Sequence, residues 1–503
     1  MKRAIQRIPV MATCLVALAA CSARVTSGVS PGDGGAPSDA APTMATGDPT
    51  MTAAVGVGGA QGTGASAGST GVGASLGAGG SVGAGGGGVG ASAPLWAVTG
   101  LGVGPAAIGT SAAGVTTIVG TLDATATDFG GPLPCSVTVN TMFLASFDAS
   151  GHRLWFRCFT PFVASGFAVG PNGDLAFSGW LRQPVDFGTG TLDPGSGNWP
   201  VAIVGLDASG TVRFALEAPG DLGFAPLAVD ADGAVTAAGQ TSGYDFGTGS
   251  PVEAGMWIAS WDKIGAPLRA TNAGEPFYWP GAIAVDSSGD VAVVGSAVPQ
   301  AGNPSAPVQD EPFILDIDPA GQVAWTLLGV PLHPHPHPRG SCLMNGVAFG
   351  SQGDVFASGN LARAIDFGLG PLDQVDFVID ARAGVPVWQA EIVDADANSS
   401  RVAASATGAY LVGGVSLGHP VIAGQQLDPA TPGEQGFGFL ADFDAAGHPL
   451  HLAPIDAAID VTWVAAAFGP GFRVATGQML GGLLTAGQSG GHASGGYLVA
   501  FPE

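Results

Sequence analysis

Basic residues are what this sequence has least of. Lys and Arg total 15 against 39 Asp and Glu, a formal charge of −24, and after Lys2 the next and last lysine is Lys263. Schiff-base or lysine-base chemistry therefore has almost nothing to work with. No clustered Lys/Arg face exists for a phosphate backbone to meet, which excludes a nucleic-acid partner. Charge of either sign is scarce, at 11% of residues, and the acidic excess reads as a means of keeping an exported chain soluble. Sustained helical periodicity is also absent, so the expected fold is all-β. The apolar stretch at the start, Ile8–Ala17, is too short to cross a bilayer core of about 30 Å as a helix.

That stretch follows a positive segment, Lys2, Arg3 and Arg7, and leads into Leu18-Ala19-Ala20-Cys21. The four residues resemble the lipobox of bacterial lipoproteins. The resemblance implies cleavage after residue 20 and lipidation of Cys21, with more than one acyl chain holding the protein on a membrane. Ser22 after the cysteine points, by the same analogy, to the outer membrane or the cell surface. Residues 1–20 are then a signal peptide. Residues 21–93 are mostly Gly, Ala, Ser, Thr and Val, with almost no charge and no aromatic residue. Such a composition buries too little apolar surface to offset its ordering entropy. The expectation is a disordered tether with a reach of about 45 Å.

From about residue 94 the chain repeats itself. The stretch Ala282–Gly295, AIAVDSSGDVAVVG, pairs two short apolar runs around a turn. Its glycine frame recurs at Gly114/Gly120, Gly173/Gly179, Gly233/Gly239, Gly289/Gly295, Gly353/Gly359, Gly408/Gly414 and Gly471/Gly477. A second piece recurs as FLASFDASGHRLW (Phe143–Trp155), AIVGLDASGTVRF (Ala202–Phe214) and FILDIDPAGQVAW (Phe313–Trp325). Alternation of this type is the period of a half-buried strand, and Asp-x-x-Gly supplies a tight turn. Each unit reads as four strands, A to D. The chain ends on a C strand at Tyr497–Phe501, and Pro94–Ala97 looks like the missing D strand. Joining them predicts a seven-bladed β-propeller over 94–503, the N-terminal strand completing the last blade.

The units resemble the SBBP-type β-propeller repeats of bacterial exported proteins, in which the strand pairs flank a DFG triplet. Here it appears as Asp128-Phe129-Gly130, Asp186-Phe187-Gly188, Asp245-Phe246-Gly247 and Asp366-Phe367-Gly368, and is missing from the fourth, sixth and seventh units. The resemblance implies a fold and no activity. Its repetition, without a kinase's glycine loop, catalytic loop and lysine, rules out a kinase metal motif.

The A–B and C–D turns are short and uniform. The B–C and D–A connections are long and different in every unit, among them Thr121–Thr141, Trp180–Pro200 and Ser296–Glu311. Variable loops on a rigid scaffold collect binding residues, so the candidate face lies at that end, with Trp180, Trp199 and Trp279 on or near it to stack on a sugar or peptide. Packing of the three over neighbouring blades is the competing reading.

Other motifs fall short. The run His333-Pro334-His335-Pro336-His337-Pro338 sits near polyproline II, which splays its imidazoles instead of converging them. Asp394, Asp396 and Asn398 alternate like calcium ligands, and Asp230 and Asp232 precede Gly233, yet both lack the rest of a calcium loop. Gly487–Gly491 matches a hydrolase elbow without the helix that must follow it. No catalytic residue, metal site or cofactor is expected. Cys135 and Cys158, both at the variable end of the first unit, are candidates for a disulfide in an oxidising compartment, leaving Cys342 as a thiol.

The expected protein is thus a lipid-anchored monomer of the bacterial envelope that binds or scaffolds a protein or glycan. The alternatives are a propeller lyase or hydrolase working in the central depression, for which Arg182, Arg363 and Glu311 are the available polar groups, and a passive surface coat.

Overall fold

The computed structural model describes residues 54–57 and 95–502, apart from 102, 124–125, 127–128, 139, 196–199, 220–224, 275–277, 298–310, 333–341, 374, 405–407, 428–436, 456–460, 470–471 and 481–493. Every regular element among the described residues is a strand, and none of them forms a helix long and apolar enough to cross a membrane.

The strands form successive four-stranded antiparallel groups. The first is Val103–Thr110, Thr116–Leu122, Thr141–Phe147 and Arg153–Phe159. The second is Ala164–Val169, Leu175–Trp180, Val201–Leu206 and Val212–Ala218. The third runs Leu227–Val229, Val235–Thr241, Gly255–Trp261 and Pro267–Gly274. The fourth runs Tyr278–Val285, Val291–Ala297, Glu311–Ile317 and Val323–Leu328. The fifth takes Leu343–Phe349, Val355–Asn360, Asp376–Arg382 and the first part of the long strand Val385–Ala404. The far end of that strand opens the sixth, with Gly408–Ile422, Phe437–Asp444 and Pro449–Ile455. The seventh combines Val461–Gly469, Phe472–Leu480 and Ser494–Pro502 with Trp96–Leu101 from the other end of the chain. The arrangement is propeller-like. Each A strand lies beside the next, and Val461–Gly469 of the seventh group lies beside Val103–Thr110 of the first.

Within the span read as a tether, the structure describes one strand, Ala54–Val57. It pairs in parallel with two A strands, Ala164–Val169 and Leu343–Phe349. Together with the shared strand Val385–Ala404, this bridge joins the second, fifth and sixth groups into one hydrogen-bonded sheet.

The core lies in the seams between groups. One apolar cluster takes Met256 and Ile258 from the third group and Ile283, Val293 and Phe313 from the fourth. Strand C is accordingly covered on both faces: Thr141–Phe147, Val201–Leu206 and Gly255–Trp261 are buried at every position. Alternation in the sequence suggests half-buried strands. Stacking sheet on sheet overrides it there, while the D strands, such as Arg153–Phe159, keep a mixed pattern.

The seams interlock by a repeated contact. An aromatic side chain on one D strand rests on the C–D turn glycine of the next group. A Cβ placed at Gly210 would meet Trp155 at 3.0 Å, at Gly265 Phe214 at 2.8 Å, at Gly384 Trp325 at 3.2 Å and at Gly447 Trp388 at 2.6 Å. The turns hold their own acids. Asp207 Oδ1 accepts from the amides of Ser209 and Thr211 at 2.9 Å each, and Asp286 Oδ1 from those of Ser288 at 2.8 Å and Asp290 at 3.0 Å. Part of the acidic excess is therefore turn chemistry.

Candidate functional site

The DFG triplets explain how the B–C connections are held. Phe129, Phe187, Phe246 and Phe367 are all buried, and Phe246 packs against Trp257 with ring centroids 4.8 Å apart. The aspartate turns the chain: Asp245 Oδ1 accepts from the amides of Gly247 at 2.9 Å and Gly249 at 3.2 Å. Asp366 does the same for Gly368 at 2.6 Å and Gly370 at 3.1 Å. The phenylalanine anchors the connection and the carboxylate shapes it. Asp128 lies outside the described residues.

On these connections Trp180 closes a B strand, half-buried, and the exposed Arg182 guanidinium stands 4.7 Å from its ring centroid. This is a cation–π pair at the rim of the second group. Trp279 is half-buried near the start of the fourth group's A strand, where its backbone pairs with Ser296. Trp199 lies outside the described residues. The structure thus joins Trp180 to Arg182 and sets Trp279 in another group.

At the same end, the fourth to sixth groups gather ionisable side chains. Glu311 opens a C strand and is pushed up by burial, against the pull of the Arg363 guanidinium. Asp376 opens the next C strand and accepts from Asn360 Nδ2 at 2.6 Å. Burial pushes Asp376 up to about 7, opposed by the Asn360 bond and by Arg401. Burial likewise lowers Arg401 to about 10, and Asp376 resists that. A carboxyl near neutrality beside a guanidinium has the acid–base poise of a catalytic group. Asp376 and Arg401 are, however, only 2% and 5% exposed, so neither meets a solute without movement. Sequence reasoning named Arg363 and Glu311 and missed Asn360, Asp376 and Arg401. The available signal was a charge set directly against an apolar run, as in Asp376 before Phe377-Val378-Ile379.

The turn end carries ion pairs that tie strands together. Arg213 grips Asp174 with two bonds of 2.6 Å, and Arg382 pairs with Asp354. Arg473 of the seventh group meets Asp442 of the sixth at 2.7 Å while standing 5.5 Å from the Tyr410 ring centroid.

Cys135 and Cys158 are joined as a disulfide with Cα atoms 6.3 Å apart, and Cys342 is buried. Asp230 Oδ1 accepts from the amides of Asp232 and Ala234 at 2.9 and 2.8 Å, which makes it a turn acid. Asp394, Asp396 and Asn398 belong to the strand Val385–Ala404 and not to a loop. Among the described residues no group of three His, Cys, Asp or Glu is placed to hold a metal ion. Cys21, His333–Pro338 and Gly487–Gly491 lie outside the described residues.

No family model matches the chain, and no curated protein sequence matches it. Solved structures do resemble it distantly. A polysaccharide lyase is 10% identical, covering 79% of this chain and 89% of its own, at a TM-score of 0.43. The hydrazine synthase of Kuenenia stuttgartiensis is 12% identical over 75% of this chain and 92% of its own, at 0.41. A gluconolactonase from Xanthomonas campestris is 13% identical over 65% and 90%, at 0.31. At such identities and scores these likenesses assign no activity.

Proposed function

We propose that the chain is a bacterial envelope lipoprotein, anchored through Cys21, that displays a closed seven-bladed β-propeller of SBBP type and acts as a recognition or scaffolding module. Closure is supported by Trp96–Leu101 completing the seventh group and by the contact between the seventh and first A strands. The propeller binds a protein or glycan at its loop end. The observation that carries this reading is the Trp180–Arg182 pair, a half-buried aromatic and an exposed cation on a connection pinned by the buried Phe187. Tryptophan and arginine are the side chains most enriched among residues that dominate binding. The test is a screen of the full chain against glycans and secreted proteins. A partner whose binding falls at least tenfold in Trp180→Ala and Arg182→Ala, with folding intact, supports the reading. Silence across the screen overturns it in favour of a passive coat.

A second reading, a propeller lyase or hydrolase, is favoured by Glu311, a half-buried carboxyl raised by burial at the loop end of the fourth group and facing the Arg363 charge. It requires turnover of a polysaccharide or ester by the full chain that disappears in Glu311→Gln.

A further inference from the structure

The seam between the third and fourth groups lacks the ring-on-glycine contact found at Gly151, Gly210, Gly265, Gly384 and Gly447. Where other D strands place Trp155, Phe214, Trp325 or Trp388, the third group places Arg269, as the cross-strand register fixes. Ser260 faces Arg269 just as Ser146 faces Trp155 and Asp380 faces Trp388. Arg269 does not fill the seam. It reaches down to the turn of the fourth group, donating from Nη1 to the carbonyls of Asp318 at 3.0 Å and Pro319 at 2.9 Å. Two residues on, Thr271 stands 3.7 Å from where a Cβ of Gly321 would be, a looser fit than any of the ring–glycine contacts. The strand then continues with Asn272, Ala273 and Gly274.

Past Arg269 the D strand carries only the short side chains of Thr271, Asn272 and Ala273 before Gly274, and the seam opens beside the last three. A cavity of about 490 Å³ opens here, lined by Glu253, Asn272, Tyr278, Leu315, Val323 and Thr326 among others. That volume is within the range of small-molecule sites, roughly 300–1,000 Å³. Its lining is mixed. Glu253 is a carboxylate acceptor, Thr326 a hydroxyl, Tyr278 an aromatic ring braced by Phe313 with centroids 4.9 Å apart, and Val323 an exposed aliphatic. Asn272 holds the wall in place, donating from Nδ2 to the carbonyls of Glu253 at 3.3 Å and Ala254 at 3.1 Å and accepting from the amide of Gly274 at 3.1 Å. Among the described residues no lysine, arginine or histidine lines the cavity, so a phosphate, sulfate or uronate would enter without the cation it needs.

We infer that the seam between the third and fourth sheets is a binding site for a neutral sugar. A pyranose offers an apolar C–H face to Tyr278 and Val323, and hydroxyl donors in excess, which a carboxylate such as Glu253 only accepts. The site is separate from the loop-end pair and does not rest on it. It takes its ligand between two sheets, beside the end of the third group's D strand.

The test is titration calorimetry of the full chain with cellotriose, maltotriose, mannotriose and chitotriose, and with trigalacturonate as the charged comparison. At least one neutral trisaccharide is expected to bind. Glu253→Gln and the isosteric Thr326→Val should each weaken it tenfold or more, while Leu450→Ser, at an exposed position of the sixth group's D strand, leaves it unchanged. Thr326→Trp, which fills the cavity from a partly solvent-facing strand, should abolish it with the far-UV circular dichroism preserved. The inference is overturned if no neutral trisaccharide binds at about 10 mM, if trigalacturonate binds better, or if Glu253→Gln binds as the parent does. Loss of sugar binding in Trp180→Ala alone would move the ligand to the loop end and refute the seam.

Discussion

The indole of Trp96 rests on Gly151. A Cβ at that glycine would stand 2.8 Å from the ring, and Trp96 Nε1 donates to the carbonyl of Ala149 at 2.9 Å. Trp96 enters the seventh group from the N-terminal side, and Gly151 is the C–D turn glycine of the first. The ring-on-glycine contact found between four consecutive pairs of groups thus recurs between the seventh and the first.

Both partners are needed for this contact. Gly151 has φ +82°, a region that costs a residue with a side chain about 1–2 kcal/mol, and a side chain there also overpacks the indole. Gly151→Val is expected to destabilise the protein by about 2–4 kcal/mol, and Trp96→Ala by about 3–5 kcal/mol. Urea denaturation of the two variants checks both values. Midpoints unchanged from the parent would mean that the N-terminal strand does not close the seventh group.

The disulfide fastens the first B–C connection to its D strand across a sequence separation of 23. Closing a loop of this length stabilises by roughly 3 kcal/mol in the chain-entropy account. Cys135→Ser should lower the denaturation midpoint accordingly. Under non-reducing conditions a thiol reagent should label Cys342 only after unfolding, because its side chain is buried. Labelling of Cys135 in the native oxidised protein would contradict the bridge.

Asp380 lies buried beside Asp354 and Arg382. Burial, reinforced by the Asp354 charge and opposed by Arg382, pushes it up to about 7 from an ordinary 3.8, and Asp376 is raised in the same direction. Between about pH 4 and pH 7 the folded chain retains protons that the unfolded chain has released. Stability therefore falls as pH rises through this window and levels off above it. Asp380→Asn should flatten the decline and leave the variant more stable than the parent near pH 8, by on the order of 1 kcal/mol or more. Denaturation midpoints across that range decide the matter. A parent whose stability rises from pH 5 to 7 would refute the assignment.

The two halves of a DFG triplet should separate on mutation. Phe246→Ala removes a ring packed on Trp257 and is expected to cost about 3–5 kcal/mol. Asp245→Ala removes an exposed turn acceptor for two amides and should cost about 1 kcal/mol, acting on the loop more than on the fold. Hydrogen exchange at Gly247 and Gly249 should quicken in the aspartate variant while the amides of Gly255–Trp261 stay protected.

What the sequence determined by itself was whatever local chemistry repeats. The Asp-x-x-Gly turns, the paired apolar runs and the strand at Trp96 are legible because a turn carboxylate bonds amides two and four residues away, and because strand pairing within a unit spans only a few residues. The same locality hid the rest. Nothing beside Asp376 in the chain announces Arg401, which comes from the next group, and Asn360 reaches it only because strands B and C are paired. Trp180 was legible as a candidate, while its partnership with Arg182 needed the backbone's path at the rim. The seam cavity was the least visible feature of all. Arg269 is unremarkable in sequence, and it matters only because it stands opposite another sheet at the register where Trp155, Phe214, Trp325 and Trp388 meet a turn glycine. Packing between sheets is a relation among residues about 55 positions apart, and only the tertiary structure decides it.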